Sequence, residues 1–340
     1  MMRTAPDFWA RKPGFAANLL LPFGAAWDCA GRLRRALARP YRASVPVICV
    51  GNLVAGGAGK TPVTMALADW FRARDIAAHV VARGYRGRLV GPIRVDAARH
   101  DAGEVGDEAV LVARRTPAWV ARNRVAGAAA AVAAGAEAIL LDDGFQNPSI
   151  AKTVSLIVVD AGYAFGNGRV IPAGPLRENL RRGLARADAA VLLVVSGAEG
   201  SVAGQLFGRR FPIVPAVLTA IDGERFAGDR VFAFAGIGRP ARFFATLRAL
   251  GANVAAERSF PDHYAFGERD VGALSMAARR LGARLVTTAK DFVRLPAGAR
   301  DGIEVLEVEI RWPDPEALSR LLTPVLLSLG TNAHPFRPAC

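Results

Sequence analysis

Cysteine is scarce in this chain. Its three residues, Cys29, Cys49 and Cys340, lie far apart and form no C-x-x-C pair. A disulfide scaffold is therefore not expected, and a reducing compartment is the simple reading. Histidine is nearly as rare. None of His79, His100, His263 and His334 stands at metal-ligand spacing from another, which argues against a structural zinc site. Nowhere do 18 apolar residues run uninterrupted, so a transmembrane helix is not expected. Low-complexity tracts and internal repeats are missing, so extensive disorder is not expected either. Acids are outnumbered by bases, 30 Asp and Glu against 44 Lys and Arg.

What is present is apolar residue in quantity. About 52% of the 340 positions are hydrophobic, enough for one large core or two ordinary ones. The formal net charge of +14 is carried mostly by arginine, whose fork suits phosphate. That surplus points to an anionic partner: nucleic acid, an acidic membrane surface or a phosphorylated substrate. Near the start, Phe15 to Ala30 is almost wholly apolar, broken by Asn18, Pro22 and Asp28, and is followed by Arg32, Arg34, Arg35, Arg39 and Arg42. The basic residues follow the apolar run, the reverse of a signal peptide. Two readings fit: a helix lying on an anionic membrane surface, or a helix packed on the domain with solvated arginines.

Short apolar runs alternate with helical patterns, which predicts α/β architecture with a largely parallel sheet. Strands are expected at Pro46–Val50, Ala78–Ala82, Ala138–Leu141, Ser155–Val159 and Ala190–Val195, then at Val231–Ala235, Asn253–Glu257, Arg284–Thr288 and Ile303–Val308. Between the two sets, Phe211–Asp222 reads as an extended connector with Pro212 and Pro215. The expected division is an N-terminal helix plus a larger unit over 1–211, a connector over 212–228, a second α/β unit over 229–328 and a frayed tail over 329–340.

The strongest local signal runs from Val47 to Pro62. A β-branched strand, Val47-Ile48-Cys49-Val50, enters a loop containing Gly56, Gly57, Ala58 and Gly59, then Lys60-Thr61-Pro62 and a helical pattern. Glycines let consecutive backbone N–H groups converge on phosphate oxygens, and the helix N-terminus adds a favourable dipole. In such a phosphate loop Lys60 reaches the β- and γ-phosphates and Thr61 ligates Mg²⁺. Val54 stands where the usual spacing has a first glycine; Gly56 and Gly57 supply glycine elsewhere. Val63, Leu67, Trp70 and Phe71 form the apolar face of the following helix. Further on, Ile139-Leu140-Leu141 ends in Asp142-Asp143-Gly144, an apolar strand finishing in acids. Paired with a phosphate loop, these carboxylates are candidate metal ligands; alone they would be an ordinary Asp-Gly turn.

A second glycine motif competes. Gly236-Ile237-Gly238-Arg239-Pro240-Ala241 fits G-x-G-x-x-A after a strand, with Glu257 further on, a pattern of dinucleotide-binding units. Pro240 removes an N–H from the helix start, which ranks this reading below the phosphate loop. Thr288-Ala289-Lys290-Asp291 has the wrong spacing for a guanine-specific box, so ATP is preferred to GTP.

These stretches, with Arg83-Gly84-Tyr85, Gly106-Asp107-Glu108, Asp142-Asp143-Gly144-Phe145-Gln146, the run Pro172 to Glu178, Arg186-Ala187-Asp188, Phe234 to Gly238, Phe260-Pro261-Asp262-His263-Tyr264 and Thr288 to Asp291, resemble the lipid A 4'-kinase (tetraacyldisaccharide 4'-kinase) family in order. The resemblance covers residues 15 to 325. It implies a P-loop NTPase-type α/β/α sandwich, a smaller second α/β/α domain and a short two-stranded connector. It implies transfer of the ATP γ-phosphate to the 4'-hydroxyl of a tetraacyldisaccharide 1-phosphate with Mg²⁺. It also implies peripheral attachment to the cytoplasmic face of the bacterial inner membrane through the N-terminal helix. An anionic glycolipid substrate accounts for the basic surplus. No nucleic acid and no obligate protein partner are implied. Two positions depart from the family pattern: Asn147 replaces a histidine and Ala289 a glutamate.

By the resemblance Asp107 takes the sugar proton and His263 orients it, with Lys60 as the third catalytic residue. The residue type of Asp107 also suits a helix N-cap. Thr61, Asp142, Asp143 and Glu108 are the candidate metal ligands. Arg83, Tyr85, Arg122, Arg124 and Arg177 are candidates for the substrate 1-phosphate or the nucleotide. The alternative is a P-loop switch or chaperone that leaves lipid unchanged. A basic nucleic-acid binder finds no support in any fold signature.

Overall fold

A computed structural model of the chain describes residues 6–194 and 211–330. Among these residues thirteen strands form two sheets. β1 (Val47–Gly51), β2 (Ala78–Ala82), β3 (Ile93–Arg94), β4 (Ala118–Val120), β5 (Ala138–Asp142), β6 (Val154–Asp160), β7 (Ala189–Val194) and β8 (Ile213–Ala220) lead into the smaller sheet. There β9 (Arg230–Ala235), β10 (Asn253–Ser259), β11 (Arg284–Thr288) and β12 (Ile303–Leu306) follow, and β13 (Val308–Arg311) closes the series.

The large sheet has the order β13-β8-β7-β6-β1-β5-β2-β4-β3. Its inner strands are parallel, and only the edge strands β13 and β3 run antiparallel to their neighbours. β1, β2, β5, β6 and β7 are buried along their whole length. Parallel strands covered on both faces need continuous apolar runs, and these have them. One face packs on the helix Lys60–Arg72 through Val63, Leu67, Trp70 and Phe71. The other packs around Phe145, Ala128 and Leu176. The smaller sheet, β10-β9-β11-β12, is wholly parallel. Helices Pro240–Ala249 and Glu268–Arg280 bury Phe243, Phe244, Leu247 and Val271, Leu274, Ala278 in the two core clusters that enclose it.

The chain crosses between the lobes twice, leaving along β8 and returning along β13, which pair antiparallel. This corrects the expected strand Ile303–Val308. It is two strands split at Glu307, whose carbonyl accepts the Ile221 amide, and the halves belong to different sheets. The second unit is correspondingly shorter than 229–328. The helix Pro315–Ser328 returns to the large sheet and buries Leu318, Leu322, Val325 and Leu326 in its core. Sequence reading missed the short edge pair β3 and β4. Val195, at the end of an expected strand, and the tail from 331 onward lie outside the described residues.

The apolar N-terminal run folds as helices Phe15–Leu19 and Leu21–Ala36. Phe15, Leu19, Phe23 and Trp27 recur every four residues and are all more than half exposed. Inward-facing groups dock the second helix. The Trp27 indole donates to the Arg177 carbonyl at 3.0 Å, Asp28 accepts the Asn179 amide at 2.9 Å, and Arg34 donates to the Gln146 carbonyl at 2.9 Å. Its arginines are thus not merely solvated. No described helix is long and apolar enough to cross a membrane.

Candidate active site

β1 delivers its last residue, Gly51, to the loop at the carboxyl end of the large sheet. Gly56 (φ +104°) and Gly59 (φ +80°) turn the loop through left-handed conformations, after which Lys60 opens the helix. At Gly59 a Cβ would also lie 2.4 Å from Leu193 Cδ1, so only glycine fits there. Above Gly56 and Gly57 a Cβ would meet nothing, which leaves the loop open for a phosphate chain.

β5 pairs with β1, so Asp142 arrives directly opposite Val50 and faces the helix. Its carboxylate accepts from the Thr61 hydroxyl at 3.2 Å and from Thr64 at 3.4 Å. Burial pushes the Asp142 carboxyl up to about 7; the nearby charge of Glu108 adds to this and Lys60 opposes it. Asp143 is also desolvated, but Lys60 at 3.8 Å and Arg177 at 2.7 Å outweigh burial and hold its carboxyl below the usual range. A deeply buried acid with two hydroxyls and a lysine beside it is a donor set suited to a hard cation shared with phosphate. Among the described residues no group of three or more His, Cys, Asp or Glu gathers as a metal cage, which such a shared site does not need.

The remaining groups come from both lobes. Gly106 (φ +88°) caps the helix Asp107–Ala113, and a Cβ there would lie 2.7 Å from the Tyr85 carbonyl. Asp107 is therefore the first helical residue and not the N-cap. Its Oδ2 lies 2.9 Å from His263 Nδ1 and 3.0 Å from Arg294 Nε. Burial would raise its carboxyl. The His263 hydrogen bond, then the charges of Lys290, His263 and Arg294, hold it down at about 2, so it is ionised at neutral pH and Nδ1–H of His263 donates to it. His263 has φ +57°, an uncommon conformation for a side-chain-bearing residue. The first lobe grips it there: Arg86 donates to its carbonyl at 2.8 Å and the Tyr85 ring lies 5.1 Å from its imidazole. Glu108 is taken by Lys290 Nζ at 2.9 Å, and the same ammonium approaches His263 Nε2 at 3.5 Å.

The glycine motif after β9 has no room for a dinucleotide. The Gly236 amide donates to Asp291 at 2.9 Å, its carbonyl accepts from His263 N and Arg294, and a Cβ at Gly238 would lie 3.2 Å from Gly57 N. It is the second lobe's contact with the phosphate loop. Beside it, Arg239 and Arg242 both pair with Asp160 at the end of β6.

The arginines predicted for substrate separate. Arg83 and Arg122 are exposed, with Tyr85, on loops following β2 and β4. Arg124 is buried, donates to the Ala121 carbonyl at 2.7 Å, and feels the charges of Asp142 and Asp143. Arg177 is committed to Asp143 and Gln146. Arg177 thus pairs directly with Asp143, while Arg124 lends the two acids only its nearby charge. Asn147 turns away from the acids: its Oδ1 accepts the Ser149 amide at 2.8 Å, closing a local turn. Ala289 opens the helical turn Ala289–Phe292. Thr64, Arg86 and Arg294 went unnoticed in sequence. Thr64 stands one helical turn after Lys60 and was findable; nothing local marks the other two.

A glycine-rich loop on the central strand of a parallel sheet, an acid on the neighbouring strand and a second-lobe histidine aimed at a first-lobe carboxylate define a P-loop phosphotransferase. Within that class the relatives are specific. The family model for tetraacyldisaccharide-1-P 4'-kinase (LpxK) matches residues 16–327, and the chain belongs to that family. It is 53% identical over 328 residues to the tetraacyldisaccharide 4'-kinase of Rhodospirillum centenum, covering 95% of this chain and 96% of that one. It is 50% identical to that of Paramagnetospirillum magneticum over 330 residues, covering 97% and 99%. The crystal structure of Aquifex aeolicus LpxK in complex with ATP superposes with a TM-score of 0.70 at 26% identity, covering 91% of this chain and 99% of that one.

Proposed function

We propose that this chain transfers the γ-phosphate of ATP to the 4'-hydroxyl of a tetraacyldisaccharide 1-phosphate, a step of lipid A biosynthesis. The observation that carries this reading is the Asp107–His263 contact across the lobe junction, at the same end of the large sheet as Lys60 and Asp142. The amides of Gly57 to Thr61 and Lys60 Nζ hold the β- and γ-phosphates, and Lys60 exchanges Asp143 for them. Thr61 and Asp142 would hold Mg²⁺, which would supply positive charge to offset that developing on the transferred phosphoryl group. Asp107 accepts the proton of the attacking hydroxyl. A carboxylate held down at about 2 is a weak base, and it suffices because phosphoryl transfer has a loose transition state in which the nucleophile is little activated. His263, donating through Nδ1, fixes the orientation of that carboxylate. Arg83, Tyr85 and Arg122 offer exposed contacts for the anionic sugar headgroup.

The test is transfer of labelled phosphate from ATP to the disaccharide 1-phosphate in detergent micelles. Lys60→Ala is expected to lower it by about 10²-fold or more, since a charge aimed at the transition state is lost. Folded, ATP-binding wild-type protein that labels no lipid would sink the substrate and leave a nucleotide switch.

We further propose that Phe15, Leu19, Phe23 and Trp27 seat the protein on the inner membrane's cytoplasmic face. Leu19→Glu/Phe23→Glu is expected to reduce cosedimentation with anionic vesicles by roughly tenfold or more with unchanged thermal stability, because both side chains are about 65% exposed. Undiminished vesicle binding by that variant would remove the membrane face.

A further inference from the structure

The first two residues of the helix Asp107–Ala113 are acids, and each meets a cation from the other lobe: Asp107 meets Arg294 and Glu108 meets Lys290. Lys290 and Arg294 are four residues apart, so one short turn of the second lobe presents both. The two contacts differ. Lys290 is partly exposed, while the Arg294 side chain is only 6% exposed. Two arms of its guanidinium donate hydrogen bonds, and the third, Nη2, is held by charge alone. Nε donates to the Lys290 carbonyl at 3.0 Å and faces Asp107 Oδ2 at 3.0 Å. Nη1 donates to the carbonyls of Gly236 at 2.9 Å and Tyr264 at 3.3 Å, and Nη2 lies 3.2 Å from Asp291 Oδ1. Of these partners only Asp107 belongs to the first lobe.

The distribution on Asp107 is equally telling. Oδ2 takes both second-lobe contacts, the hydrogen bond of His263 and the ion pair of Arg294, while Oδ1 accepts the Glu108 amide of its own helix at 2.8 Å. A carboxylate held at one oxygen by a hydrogen bond and an ion pair is restrained about its last torsion, and its other oxygen keeps acceptor capacity. A buried guanidinium whose geometry is set by the Gly236 turn, Tyr264 and Asp291 is a rigid reference for that grip.

We propose that Arg294 is a positioning residue of the phosphoryl transfer: it locks the Asp107 carboxylate against the second lobe so that Oδ1 is presented to the substrate hydroxyl. The assignment rests on the reading of Asp107 as the proton acceptor. Because the same guanidinium holds the Gly236 turn, and Gly238 abuts Gly57, the base is aligned only while the second lobe is seated on the phosphate loop. Lobe docking and base alignment are one event.

The experiment compares wild type, Arg294→Ala, Arg294→Lys, Asp107→Asn and the Asp107→Asn/Arg294→Ala double variant. The readouts are lipid phosphorylation and thermal stability. Arg294→Ala is expected to lower kcat by about 10²-fold, the cost of a misplaced catalytic group, with the KM for ATP nearly unchanged. Millimolar guanidinium is expected to restore part of that kcat, because the vacated space keeps the Asp107, Asp291 and carbonyl partners. The double variant is expected to be no slower than Asp107→Asn, since residues acting as a unit are not additive. A folded Arg294→Ala protein with wild-type kcat, a loss that guanidinium does not relieve, or losses that add in the double variant would each overturn the proposal. Should Arg294→Ala fail to fold, Arg294→Lys decides: lowered kcat at unchanged thermal stability supports the role, and wild-type kcat overturns it. Failure of the underlying reading shows separately, as full activity of Asp107→Asn.

Discussion

Asp107→Asn is expected to lower kcat for lipid phosphorylation by about 10²- to 10⁴-fold, the range spanned by positioned general bases, while ATP binding is preserved. The amide is nearly isosteric with the carboxylate, so the helix start at Gly106 and the lobe contact survive. Two things change. The side chain loses the site that receives the proton, and it meets His263 and Arg294 as a neutral partner 2.9 and 3.0 Å away. Asn binds those donors more weakly than an ion does, so some loss of lobe docking is expected as well. The measurement is single-turnover transfer of labelled phosphate, with nucleotide affinity determined separately. Unchanged affinity with collapsed turnover places Asp107 on the chemical step. Equal losses in both would make it a structural tie between the lobes. His263→Ala is expected to cost less than Asp107→Asn, because Arg294 still holds Oδ2.

How much of this was legible beforehand depended on whether the determining interactions were local. β1, the glycine loop and the helix Lys60–Arg72 could be read directly, since a buried parallel strand, positive-φ glycines and a 3.6-residue apolar stripe each leave a signature within a few residues. The acid pair was legible as the end of an apolar strand, and the family resemblance supplied Asp107 and His263, for which local pattern offered only a helix cap and an unremarkable histidine. The run Ile303–Val308 was misread because it is continuously strand-like; the switch between sheets at Glu307 is decided by where β8 waits, 80-odd residues earlier in the chain. β3 and β4 are two and three residues long, too short for periodicity. Arg294 and Arg86 were invisible for a related reason. Each acts on a residue more than 170 positions away, and nothing in the neighbouring sequence records the partner. Arg124 and Arg177 were legible as candidates for phosphate or nucleotide, but their place beside the acids was not: two adjacent buried acids demand cations within reach, and which arginines supply them is set by the fold.

Those acids lead to a second large effect, on stability. Asp142→Asn is expected to raise the melting temperature of the protein freed of nucleotide and divalent cation at pH 8, and to do so much less at pH 4. Burial drives the Asp142 carboxyl from 3.8 up to about 7, with the Glu108 charge in support and Lys60 against. A carboxyl that binds its proton more tightly folded than unfolded makes stability fall as pH rises. The fall begins near the unfolded value of about 3.8, continues to about 7 and is complete above it. At 1.36 kcal/mol per unit, the ionised acid costs the free protein up to about 4 kcal/mol at pH 8. Asn removes the charge, keeps one oxygen for one of the two hydroxyls and offers its NH₂ to the other, which rotates to accept, so the cost disappears while the packing stays. The same substitution is expected to abolish lipid phosphorylation, because a neutral amide cannot hold Mg²⁺ against the phosphates. Stabilisation joined to inactivity is the signature of an acid kept for a ligand and not for the fold. Melting curves of both proteins from pH 4 to pH 8 in chelator decide it. A gap that widens with pH supports the assignment, whereas a pH-independent gap, or a less stable Asn variant, would show that Asp142 is ionised and satisfied in the free fold.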